Sequence, residues 1–178
     1  ARLRDQTALP IHVHLMVADT VLLSQIDQFA EAGADLISLH AENANAAEGL
    51  ERIASHGAKA GMVLRVETPV AAAAPWLVRL DMLTLLGTAI GVKGQGLAPS
   101  ATARLQEAGR LDLLARRDTK RLIAATGRRI VLAADGGIRD TTVPLLRAAG
   151  AETVVMGSLA FGAPDLAERM RWLHGLGG

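Results

Sequence analysis

Two stretches hold the residues best suited to chemistry. In Ile11-His12-Val13-His14-Leu15-Met16-Val17, the two-residue alternation of a β-strand would set His12, His14 and Met16 on one face. Two imidazoles pointing into a packed helix layer would be poorly solvated, so that face is expected to be an interior one rather than a helix-covered one. A histidine can ligate a metal or carry a proton near neutral pH, although a lone strand histidine is also a common structural residue. In Val131-Leu132-Ala133-Ala134-Asp135-Gly136-Gly137-Ile138, a carboxylate closes an apolar run. Such a group is costly to bury unless it meets a cation, a proton or hydrogen-bond donors. The alternative is an ordinary N-cap for the next helix. Gly136 and Gly137 leave backbone N–H groups open to a closely approaching ligand.

Gly91-Val92-Lys93-Gly94-Gln95-Gly96 follows another apolar run. A loop of this kind can fold into a nest of N–H groups for a phosphate, with Lys93 beside it. Gly157-Ser158 follows the last run and would supply the other half of a barrel phosphate site, where the loops after the final two strands meet. Glycines also mark plain turns. Their place at successive strand ends around Asp135-Gly136-Gly137 favours phosphate.

Positioning these residues requires strands whose C-terminal ends share one side. The apolar runs are Ile11–Val17, Leu36–His40, Ala60–Leu64, Met82–Leu86, Ile130–Ala134 and Thr153–Met156. Helical patterns lie between them at roughly 19–32, 43–56, 70–79, 99–126 and 139–149, with a last at 164–175. Asp19-Thr20, Pro99-Ser100 and Pro164-Asp165 are candidate helix starts. Gly33, Gly57 and Gly150 stand where a helix closes before a strand begins. Six strands alternating with helices predict βα units and a parallel sheet. The grouping of His14, His40, Gly87, Asp135 and Gly157 at strand ends favours a barrel over an open doubly wound sheet. No Gly-x-Gly-x-x-Gly follows the first strand. Because a (β/α)8 TIM barrel typically needs about 250 residues, roughly two βα units are expected to be absent from residues 1–178, which form a single, N-terminally incomplete domain.

The 178 residues suit one domain. Half are apolar but only 2% aromatic, a diet of Ala, Val, Leu and Ile suited to buried parallel strands. Net charge is +1, with 19 Lys+Arg against 18 Asp+Glu. Arg116-Arg117 and Arg128-Arg129 read as solvated helix ends, so no nucleic-acid face is expected. The absence of cysteine excludes disulfides and thiolate metal sites. No apolar run reaches membrane-spanning length, and Ala1–Gln6 lacks a signal-peptide core, so a soluble cytoplasmic enzyme is expected.

His-Leu-Met-Val (14–17), Ala-Gly-Ala-Asp (32–35), Leu-His-Ala-Glu (39–42), Ala-Gly-Met-Val-Leu (60–64), Thr-Pro (68–69), Gly-x-x-Gly-Gln (91–95), Asp-Gly-Gly-Ile (135–138) and Gly-Ser (157–158), in that order, resemble the ribulose-phosphate 3-epimerase family. The resemblance runs from about residue 3 to the end. It implies a ribulose-phosphate-binding barrel that inverts the carbon beside the ketone of a ketose phosphate by two-base catalysis through an enediolate. It further implies one divalent metal, zinc or iron, held by two His and two Asp, of which His14 and Asp135 match positions here. Asp135 becomes one acid/base, Met16 a soft wall beside the enediolate, and Gly91, Gly94, Gln95, Gly136, Gly137, Gly157 and Ser158 the phosphate-binding positions. The expected partners are a sugar phosphate and further copies of the chain.

The family's first two strands, with a Ser near the substrate and a His-x-Asp pair that includes the second acid/base, have no counterpart in these residues. The chain is therefore expected to be the retained part of a longer one, and unable to epimerise alone. The family's Asn-Pro is Arg65-Val66 here, and its Met-Ser-Val-Asn-Pro is Leu86-Gly87-Thr88-Ala89-Ile90, which leaves the sugar open. Arg65 would either touch a substrate oxygen or pair with Glu42 or Glu67. The rival readings are a metal-free phosphate-binding lyase or decarboxylase, though Asp-x-Lys-x-x-Asp is absent, and an inactive barrel with a binding role.

Overall fold

The computed structural model describes residues 3–91, 95–118 and 130–176. The strands are β1 (His12–Leu15), β2 (Leu36–His40), β3 (Lys59–Leu64), β4 (Met82–Leu86), β5 (Val131–Asp135) and β6 (Thr153–Val155). All pair in parallel, in the order β1-β2-β3-β4-β5-β6, as the alternation of runs predicts. The helices are α1 (Asp19–Glu31), α2 (Ala46–Ser55), α3 (Ala101–Asp118), α4 (Val143–Ala148), α5 (Ser158–Phe161) and α6 (Leu166–Gly175). Gly33, Gly57 and Gly150, at φ +91°, +75° and +109°, follow α1, α2 and α4 in the left-handed conformation that closes a helix without a Cβ penalty.

Strand alternation divides the molecule into two sides. Leu39 faces the helix layer, where it packs so closely that a Cβ on Gly49 of α2 would lie 2.6 Å from its Cδ2. Leu22, Ile26, Leu50 and Ile53 of α1 and α2 complete that layer and are fully or almost fully buried. Each such side chain contributes about 1.5–3 kcal/mol relative to exposure. The opposite face of the same strands carries His12, His14, Ser38 and His40. His12 Nε2 lies 2.7 Å from Ser38 Oγ, and a Cβ on Gly61 of β3 would collide with that hydroxyl at 2.0 Å. The histidine-bearing face is thus the interior one, and it is tightly packed one layer below the strand ends.

Local differences from the sequence reading have physical causes. The first strand is shorter than Ile11–Val17, so Met16 and Val17 lie just past its end. The pattern at 70–79 forms two 3-10 turns, Val70–Ala73 and Leu77–Arg79, because Pro75 between them offers no N–H to continue a helix. The pattern at 99–126 is α3 as far as Asp118; its remainder lies outside the described residues. The last pattern, 164–175, is α6, preceded by the short α5 that the sequence reading did not include, and Asp165 caps α6 by accepting the Glu168 N–H at 3.0 Å. Asp135 is the final residue of β5, and the following helix has Thr142 at its N-cap, so the helix-cap alternative for Asp135 does not apply.

Candidate active site

His14 on β1 and Asp135 on β5 meet, with Nδ1 and Oδ2 3.7 Å apart. In strand order they are separated by four spacings, which in a flat sheet would amount to about 19 Å at ~4.8 Å per strand. Only a strongly curled sheet lets side chains from the first and fifth strands touch across its concave side.

The contact continues through residues that sequence reasoning did not assign to the site. His14 Nε2 lies 2.9 Å from His40 Nε2, and the two rings stack with centroids 5.0 Å apart. His40 Nδ1 is 3.3 Å from Glu42 Oε2. Glu42 Oε1 accepts the Arg65 backbone N–H at 3.1 Å and the Thr68 hydroxyl. Burial holds His40 below the ordinary imidazole value, reinforced by the neighbouring His14. Burial pushes the Glu42 carboxyl up, but the Thr68 hydroxyl and the Arg65 N–H outweigh it and hold the group below its ordinary range. His12 is lowered chiefly by burial and then by His14, with Asp135 opposing. The available signal was Leu-His-Ala-Glu, which sets Glu42 in the turn just past His40, the last residue of β2.

Arg65 settles on one of its two expected partners, with Nε 3.8 Å from Glu42 Oε2. Its side chain remains half exposed. Arg65→Asn is therefore expected to lower the melting temperature by only a few degrees at most, as for an exposed ion pair of small worth. A larger loss would show instead that the pair with Glu42 is a principal support of the turn after β3.

Met16, Leu86, Thr88, Ala89, Ile90, Gly91, Asp135 and Gly136 line a cavity of about 260 Å³ at the strand ends. Of the positions expected to handle substrate, Met16, Gly91, Asp135 and Gly136 are thereby brought together. The β4 and β5 loops lean on each other. Gly87 N–H donates to Asp135 O at 2.6 Å and Ala98 N–H to Gly87 O at 2.7 Å, while a Cβ on Gly137 would lie 2.8 Å from Leu97 Cα. Gln95 Oε1 accepts the Ala89 N–H at 3.1 Å, so this side chain braces the loop. Gly157 and Ser158 are exposed and do not line the cavity. The Asp135–Val155 register puts Gly157 level with Gly137, two residues further on. Gly94 lies outside the described residues, as do Val92 and Lys93.

A tetrahedral zinc with donors at about 2.0–2.1 Å separates two of them by roughly 3.4 Å, so the His14–Asp135 spacing fits two ligand positions. Among the described residues no group of three or more His, Cys, Asp or Glu side chains is arranged to hold a metal ion. None of the described helices is long and apolar enough to cross a membrane.

Six parallel strands in sequence order, curled into a half-barrel and alternating with helices, define a TIM-barrel-like protein with its polar groups at the strand C-termini. Solved structures agree on the fold. The 3-hexulose-6-phosphate synthase of Salmonella typhimurium superposes with TM-score 0.63 at 18% identity, covering 98% of this chain and 76% of that one. Orotidine 5'-phosphate decarboxylase from Pyrococcus horikoshii gives 0.61 at 15%, covering 98% and 77%. The family model described as "Ribulose-phosphate 3 epimerase family" matches residues 1–161, and the chain belongs to that family. It is 38% identical over 168 residues to ribulose-phosphate 3-epimerase 2 of Cupriavidus necator, covering 92% of this chain and 64% of that protein. To the chloroplastic ribulose-5-phosphate-3-epimerase of Arabidopsis thaliana it is 31% identical, covering 95% and 57%. The Bacillus subtilis ribulose-phosphate 3-epimerase is 32% identical, covering 97% and 74%. The chain thus spans less than two thirds of the length of the first two of these relatives.

Proposed function

We propose that the protein epimerises a ketose phosphate at the carbon beside the ketone, with Asp135 as one of two proton-transferring groups. The observation that carries this is the His14–Asp135 contact at the mouth of a cavity also walled by Met16 and Gly136. Inverting such a carbon requires a base that removes its proton from one face and an acid that returns one on the other. Among the described residues Asp135 is the only titratable side chain lining the cavity, and in this reading it serves one face. The second group, and further metal ligands, would come from beyond the residues gathered here.

A divalent metal, if bound, would be held by His14 and Asp135 among its ligands and would supply charge stabilisation to the substrate's developing oxyanion. The side chains do the rest. Met16 walls the reacting carbon away from water without offering it a competing proton. Glu42, through His40, fixes the His14 ring. The backbone of Gly91, Gly94, Gly136, Gly137 and Gly157, with the Ser158 hydroxyl, would hold the phosphate, and Gln95 would keep their loop folded. The position of Gly91 and Gly136 in the cavity wall supports this placement.

The test is solvent isotope exchange with the gene-encoded chain. In D2O, deuterium should enter the carbon beside the ketone of pentulose and hexulose phosphates while the epimer accumulates. Turnover without wash-in would defeat the two-base mechanism, and no reaction with any ketose phosphate would defeat the activity.

The Glu42 environment makes a separate prediction about stability. A carboxyl held below its ordinary value of about 4.3 binds fewer protons folded than unfolded. Its stabilisation is therefore complete above that value and lost as pH falls through the lower native one. Below about pH 4.3 the melting temperature should fall more steeply with acid for the parent than for Glu42→Gln. Parallel curves would mean that the Thr68 and Arg65 donors do not hold the carboxylate in solution.

A further inference from the structure

Arg104 lies in the first turn of α3 and is only 8% exposed. Burying a guanidinium is costly unless its donors are met, and here they meet backbone carbonyls. Nη1 donates to Leu86 O at 3.2 Å, and Nη2 donates to Arg65 O at 2.6 Å and Thr68 O at 2.9 Å. These acceptors lie at two separate places on the rim of the site. Leu86 ends β4, pairs in register with Asp135 and lines the cavity. Arg65 and Thr68 bracket the turn after β3 that gives Glu42 its N–H and hydroxyl donors.

We propose that Arg104 is a positioning residue. One planar guanidinium ties the end of β4 to the β3 turn, so that Glu42, acting through His40, holds His14 facing Asp135. A fork of fixed geometry suits that task, because a lysine ammonium is a single point that cannot reach both carbonyl groups in the same way. This rests on the reading of the site given above.

The experiment uses the gene-encoded chain with Arg104→Lys, Thr68→Ala, Glu42→Gln and the double variant R104K/E42Q. Arg104→Lys should lower kcat about 10- to 100-fold, the range expected when the support of a functional ligand is lost, with KM moving less than about threefold. The double variant should be no worse than the worse single one, since both act on one chain of contacts. Multiplying effects would overturn the proposal. The His14 and His40 ring nitrogen resonances, read by NMR without any substrate, should move in Arg104→Lys and in Thr68→Ala. Unmoved rings would reduce Arg104 to a scaffold residue and overturn its positioning role. If Arg104→Lys does not fold, Arg104→Gln, which removes the buried charge and whose single amide nitrogen cannot tie all three carbonyl groups, decides by the same two readouts. A parent protein with no epimerase activity would instead remove the proposed function, and the ring resonances would still decide whether Arg104 orders the histidines.

Discussion

Asp135→Asn should abolish epimerisation while leaving the fold intact. An amide has nearly the carboxylate's shape but cannot accept the proton, so kcat is expected to fall by about 10²–10⁴-fold, the usual worth of a positioned acid/base. KM should change little, because the cavity walls formed by Met16, Leu86, Thr88 and Gly136 are untouched. Deuterium wash-in beside the ketone should disappear together with turnover, since Asp135 is proposed to serve one of the two faces. Retention of more than a tenth of the parent kcat would exclude Asp135 from proton transfer and reduce it to an orienting partner of His14.

Gly136→Val should raise KM at least tenfold, and the structure separates the reasons. Gly136 has φ +88°, and a Cβ there would lie 2.3 Å from Thr88 Oγ1 and 3.2 Å from Thr88 N. The substitution therefore combines left-handed strain, on the order of 1–2 kcal/mol, with a collision between the two loops that wall the cavity. Gly150 offers the control. Its φ is +109°, yet an added Cβ would meet nothing within 4 Å. Gly150→Val should lower the melting temperature through strain alone and leave KM unchanged. Equal KM effects at the two positions would mean that Gly136 is needed for folding rather than for close approach to a ligand.

Much of the scaffold was legible because burial writes a plain pattern. A strand covered on both faces must be an apolar run, and a helix that feeds it ends where glycine permits reversal. That logic places all six strands. Asp135 was legible as the one carboxylate closing such a run, and His14 through its alternation with His12. What joins them was not legible. His40 ends β2 and Glu42 lies two residues further on in the following turn, but their link to His14 depends on how far the sheet curls, which no linear pattern encodes. Arg104 was hidden for a related reason. On an amphipathic helix an arginine is read as solvated, and its burial here depends on three carbonyl groups that two other segments present at one point. The 3-10 turns around Pro75 were missed because apolar spacing outweighed the proline.

The His14–Asp135 contact is a chord drawn across an arc of sheet, and a chord's length reports the curvature of everything beneath it. Each spacing between β1 and β5 adds its own small angle, so a slight flattening at any one of them is multiplied at the far end. The place to test this leverage lies deep in the concave wall, where Gly61 has no room for a methyl group beside Ser38. Substitutions there lie away from the cavity walls, yet they would widen the gap between His14 and Asp135 as a whole hinge does. In a search for improved variants, catalytic losses should therefore cluster along this inner wall as well as at the rim. The helix-covered outer face should accept most stabilising changes without altering turnover.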